Sequence, residues 1–192
     1  MRYDGELSGY GIELRPVEVT DAAAIVELRC TPENRRFIGE TDPDPAKQER
    51  WIADQLERPG DYYFAVVNAE TRRFLGTISA YDIDEDTSRC EWGRWILAAG
   101  SGAAPASVVL ILEFVFGVLD LAGCYTRTVS ANAQVVSLHD SFGAVRAAGP
   151  AEPITIFGAE HTLVRHTLDR AAWDRARPRA VRIAHGAQRF LT

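Results

Sequence analysis

The chain has 192 residues, 46% hydrophobic and 25% charged, with a formal net charge of −6. That suits one compact domain with a short tail, and it argues against a general nucleic-acid binder, because phosphate contact needs a basic face. Three widely spaced cysteines, Cys30, Cys90 and Cys124, form no CxxC pair, so neither a disulfide framework nor a zinc ribbon is supported.

Alternating hydrophobicity predicts a strand over Ile12 to Val17, and Thr20 reads as the N-cap of a helix running through Leu28. Asp44-Pro45 opens a second helix through Leu56, with proline at its first position. Tyr62 to Val67 and Phe74 to Tyr81 read as a hairpin, followed by a polar turn and a strand over Arg89 to Ile96. A loop of small residues, Ala98 to Ala104, then enters an apolar helix. Val108, Ile111, Leu112, Val115 and Leu119 carry its helical spacing, and Pro105 fixes its start close to Ala103 or Ala104. Cys124 to Val129 reads as a strand, Asn132 to Phe142 as a helix, and Ile154 to Phe157 and His161 to Leu168 as closing strands. The domain is expected over residues 1–173, with a loosely structured or weakly helical basic tail over 174–192. No apolar run is long enough to cross a membrane, and the N-terminus lacks a signal-peptide core, so a cytoplasmic setting is expected.

There is no P-loop, no HExxH and no GxSxG elbow. What remains is strand, glycine-rich loop, long helix. Backbone amides at the start of a helix have no intrahelical partners and, with the helix dipole, attract anions. The small side chains of Gly100, Ser101, Gly102, Ala103 and Ala104 would let a pyrophosphate approach that backbone.

The order of these elements, with IELRPVEVTDAAAIVELR at the front, FLGTISAYDID and EWGRWI on central strands, and SANAQVVSLHDSFGA after the long helix, resembles the GNAT acyltransferase superfamily over about Ile12 to Trp173. The ending HTLVRHTLDRAAWDR is similar to branches that acetylate nucleotide amino sugars or ribosomal-protein N-termini. The resemblance implies an α/β domain with a mixed, mostly antiparallel central sheet flanked by helices. It also implies acetyl-CoA as co-substrate and no metal. One departure stands out. The family's loop carries Arg or Gln where this chain has Ala99, which removes a side-chain donor worth about 1.5–3 kcal/mol if bonded to a charged oxygen. Arg94 is the nearest replacement.

By the same resemblance, Glu91 is the general base, often acting through water, with desolvation by Trp92 and Trp95 raising its pKa. The alternative is a surface glutamate paired with Arg89 or Arg94. His139 falls where relatives have a tyrosine that protonates the departing thiolate, a role that needs a pKa near the working pH; otherwise it is a helix-surface histidine beside Asp140. Ile96, Leu97, the loop residues 100–104 and Asn132 are expected against the cofactor, Asn132 also as a helix N-cap. Arg35, Arg36 and Phe37, with Trp51 and Tyr81, are expected at an acceptor that carries a nucleotide; the alternative is an exposed connector. His161 and His166 read as structural. The expected reaction is acetyl transfer to a small amine, foremost a nucleotide-linked amino sugar. Protein N-termini, antibiotic amines and a binding module without turnover (which Ala99 motivates) are the alternatives, and a homodimer is left open.

Overall fold

The structure is a computed structural model that describes residues 1–191. Its nine strands are β1 (Ser8–Gly9), β2 (Ile12–Pro16), β3 (Tyr62–Asn68), β4 (Phe74–Asp84), β5 (Arg89–Leu97), β6 (Gly123–Val129), β7 (Val145–Arg146), β8 (Glu152–Ile156) and β9 (Ala159–Asp169). They form one sheet in the order β1-β2-β3-β4-β5-β6-β9-β7, with β8 paired to β9. Every pairing is antiparallel except β5 with β6. The helices are α1 (Ala22–Arg29), α2 (Pro32–Arg35), α3 (Pro45–Leu56), α4 (Ala104–Glu113), α5 (Ala133–Ser141) and α6 (Arg170–Ala187).

Helices cover both faces of the sheet, and β3 shows why. Tyr63, Ala65 and Val67 pack with Ala22, Ile25 and Ile52 of α1 and α3. The alternate residues Phe64 and Val66 join the larger core around Val108, Ile111 and Phe114. A strand buried on both faces reads as a continuous apolar run rather than a polar alternation, as YYFAVV does. Where the chain turns into α1, the N-cap is not Thr20: Val19–Asp21 form a 3₁₀ turn, and the Asp21 carboxylate accepts from the Glu18 amide and from Arg15.

Helix α4 begins at Ala104 with proline in its first turn, as expected, but passes into a π-turn over Phe114–Val118 before reaching Leu121. The largest correction lies at the C-terminal end. In place of a loose tail after Trp173, α6 is an 18-residue helix packed along α4, with Trp173, Ala180 and Ala184 buried. Asp169 caps it by accepting from the Ala172 amide at 2.7 Å. Arg170 and Arg177 tie it to Asp120 and Glu113.

Candidate active site

The parallel pair β5–β6 holds register only from Arg89/Gly123 to Glu91/Tyr125. Beyond it the two strands separate. On β5 the cause is a bulge: Thr77 pairs with Ile96 and Ser79 with Gly93, so Arg94 and Trp95 together oppose the single residue Ile78, with Arg94 at φ +45°. The Thr77 hydroxyl donates to the Arg94 carbonyl at 2.9 Å and fixes the bend. The opening widens into a cavity of about 1130 Å³ between β5, β6, α5 and the segment after α1. Glu91, Ile96, Leu97, Gly100, Ala104, Asn132, His139, Arg36 and Phe37 all line it, so residues from three separate stretches of sequence meet there.

At one end lies the loop before α4. Gly100 and Gly102 have φ of +72° and +71°, and the amides of Gly100, Gly102, Ala103 and Ala104 have no acceptor among the described residues. Such a run of free donors at a helix start fits a pyrophosphate without any side chain. Ser101 and Ala103, expected at the cofactor, are buried and do not line the cavity; the Ser101 amide is taken by the Ala98 carbonyl at 3.1 Å, whereas the Ala103 amide stays free. Gly102 backs onto the C-terminal end: a Cβ there would lie 2.7 Å from the Phe190 carbonyl oxygen. Arg94 does not replace the missing loop donor. Its guanidinium is held by Asp61 at 2.5 and 3.1 Å and rests over the rings of Trp51, Tyr63 and Tyr81.

At the fork, Glu91 is 4% exposed and is paired with neither Arg89 nor Arg94. Arg127, two positions along β6 from its Tyr125 partner, donates to both carboxylate oxygens at 2.8–3.2 Å, and the Tyr81 hydroxyl donates to Oε1 at 2.8 Å. The surroundings of Glu91 are therefore a guanidinium and a phenol, where the sequence suggested two indoles. Burial and the Glu91 charge push the Tyr81 pKa up, so it stays a phenol and donates. Arg127 also reaches Glu152 at 3.0 Å.

Trp92 and Trp95 instead surround His139, with ring centroids at 5.0 and 6.1 Å. His139 is 2% exposed, and desolvation, with a smaller contribution from His166, lowers its pKa to about 4. It is a neutral imidazole at pH 7, which corrects the expectation of a proton donor titrating near the working pH. Behind it His166 Nε2 donates to Asp140 Oδ1 at 3.1 Å. Asn132 caps α5, its Oδ1 accepting from the Val135 amide at 3.4 Å.

On the acceptor side, Arg36 and Phe37 face the cavity, with the guanidinium over the ring. Arg35 does not; it rests over Phe157 in the β8–β9 turn, 4.7 Å from the ring centroid. Trp51 and Tyr81, expected at the acceptor, lie outside the lining and hold Arg94 from below. Sequence reasoning missed Arg127, Asp61 and Arg29. Two were hidden by pairings across 36 and 33 residues, and Arg29 reads simply as the basic last turn of a helix.

A forked parallel strand pair, a free-amide helix start and a lined cleft between them now stand together. A family model described as acetyltransferase (GNAT) domain matches residues 12–145. The chain belongs to the GNAT acetyltransferase family. It is an acyl-CoA-dependent N-acetyltransferase, and GNAT domains use acetyl-CoA as co-substrate. A relative named probable N-acetyltransferase YjcK from Bacillus subtilis (strain 168) is 27% identical over 128 residues, 60% of this chain and 70% of the relative. Among solved structures, apo FdhC, described as a nucleotide-linked sugar GNAT, superposes with a TM-score of 0.79 at 23% identity. The match covers 99% of this chain and 100% of that one. A spermidine N-acetyltransferase SpeG variant from Vibrio cholerae gives 0.74 at 20% identity, covering 86% and 97%. At these identities the superpositions establish the GNAT fold.

Proposed function

We propose that this GNAT enzyme acetylates the amine of an amino sugar attached to a nucleotide. The observation that carries the reading is that Arg36 and Phe37 bring a charged guanidinium and an aromatic ring to the same cavity as Glu91. A nucleotide offers what such a pair recognises, namely phosphate oxygens and a planar base. The similarity over almost the whole chain to a nucleotide-linked sugar GNAT supports it. A polyamine acceptor, which the name of the spermidine enzyme suggests, would bring cations toward Arg29 and Arg36, the two lining arginines without an ion pair among the described residues.

Acetyl-CoA supplies the activated acyl group. The chain's own residues do the rest. The free amides at Gly100 and from Gly102 to Ala104 hold the pyrophosphate, and Asn132 bonds the pantetheine arm with the side-chain donors its capping role leaves over. Glu91 takes the proton of the attacking amine through water, while Arg127 and Tyr81 fix its orientation. His139, neutral, donates an N–H toward the departing sulfur without itself titrating, and solvent protonates the thiolate.

Coenzyme A release measured against a panel of amines tests the assignment. Nucleotide-linked amino sugars should be turned over, and free nucleoside diphosphate should compete with them. Arg36→Ala should raise the acceptor KM while leaving the acetyl-CoA KM alone. Acetylation of peptides without any inhibition by nucleotides would overturn the amino-sugar reading. Glu91→Gln should lower kcat/KM about 10²–10⁴-fold; full activity in that variant would remove the base from this strand.

A further inference from the structure

Arg29 sits in the last turn of α1 and reaches the cavity wall. Its Nε donates to the Thr41 hydroxyl at 2.7 Å, yet among the described residues no carboxylate lies within ion-pairing distance of its guanidinium. The other inward arginines of β5 and β6 differ, since Arg94 is neutralised by Asp61 and Arg127 by Glu91 and Glu152. Burial is the main cause lowering the Arg29 pKa, and the nearby positive charge of Arg94 adds to it. A guanidinium nevertheless remains protonated in a protein. A partly desolvated cation without a counterion carries a free-energy cost that a bound anion would relieve. Its two Nη groups retain the fork that grips carboxylate or phosphate through two parallel bonds. Around it on the same wall stand Glu33, Asn34, Arg36 and Phe37, with the Tyr63 hydroxyl among the groups acting on it from β3. Arg36 likewise has no carboxylate within ion-pairing distance among the described residues and rests on Phe37.

We propose that Arg29 is the anion receptor of the acceptor site, binding a phosphate or carboxylate carried by the amine to be acetylated. The proposal rests on reading this cavity as the acceptor site and deepens it from nucleotide recognition in general to one guanidinium. It makes Arg29 a specificity determinant: an anionic substituent on the amine is selected, and a second cationic group is rejected by like charge.

The test compares three probes at saturating acetyl-CoA, glucosamine, glucosamine 6-phosphate and glucosaminic acid, with wild type, Arg29→Met and Arg29→Lys. Wild type should prefer one or both anionic probes over glucosamine by at least about tenfold in kcat/KM. The two anionic arms then say which group is read. Arg29→Met should erase that preference by raising the KM of the anionic probe. It should leave the acetyl-CoA KM and the glucosamine rate within about twofold, and Arg29→Lys should restore part of the discrimination. An equal loss on all three probes, or no preference in wild type, would overturn the proposal. If no probe is turned over, calorimetric titration of inorganic phosphate into the protein saturated with coenzyme A decides. Wild type must bind phosphate and Arg29→Met must not, and any other pattern sinks the assignment. Failure of free nucleotides to compete would overturn the nucleotide reading alone, because the simple anionic probes report on Arg29 independently.

Discussion

His139 shows how far one side chain can depart from what its position suggests. Enclosed by Trp92 and Trp95 and facing His166, it has a pKa lowered to about 4, against an ordinary value of 6.5. Between those values the unfolded chain binds a proton that the folded chain refuses, so stability must fall as pH drops through that window and be fully present above it. The contribution lost between pH 7 and pH 5 is about 2 kcal/mol. Urea unfolding at the two pH values should show that loss in wild type and a correspondingly shallower dependence in His139→Leu, with His166 adding a slope of the same sign in both proteins. Catalytically, the alkaline side of the rate profile should not carry the signature of His139. Removing the side chain should lower kcat without moving a pH limb between 6 and 9, which rate measurements across that range would reveal.

At the scale of single elements, β5 decides the geometry of the whole site. Its bulge makes the sheet fork, brings Arg94 inward to Asp61 and keeps Gly93 beneath Tyr81. A Cβ at Gly93 would lie 2.8 Å from the Tyr81 hydroxyl, the atom that donates to Glu91. Gly93→Ala should therefore leave the melting temperature nearly unchanged while cutting kcat/KM by about tenfold or more, the equivalent of one hydrogen bond to a charged acceptor. Full activity in that variant would mean that Tyr81 has no part in orienting Glu91. The sequence showed this strand and the start of α4, because alternation and a helix-opening proline are local signals. It could not show that Glu91 answers to Arg127, since that contact forms only when β6 pairs beside β5. Nor did it show α6. An arginine-rich segment with an internal Pro178 reads as a solvated end, and its contact face consists largely of alanines that carry little apolar signal. Ala180 and Ala184 are buried because their small size lets two helix backbones approach closely, a property of fit rather than of hydropathy.

For the molecule as a whole, the last elements of the chain are joined to the first event of the reaction. Helix α6 covers α4 and ends in a 3₁₀ turn over Gln188–Phe190, whose final carbonyl abuts Gly102 in the loop proposed to hold the pyrophosphate. Removing residues 174–192 should uncover the apolar side of α4 and lower the melting temperature by about 10 °C or more, as calorimetry would show. A shorter deletion, from Gln188 onward, leaves α6 in place and should weaken acetyl-CoA while sparing the fold. Equal donor affinity in the shortened and full-length proteins would disconnect the two ends. The linkage runs both ways, because two events that favour the same arrangement of Gly102 must favour each other. Occupancy of the donor groove is thus legible from the far terminus: a carboxypeptidase should trim the chain more slowly as acetyl-CoA fills its site, and the rate of trimming becomes a gauge of cofactor binding that needs no acceptor at all.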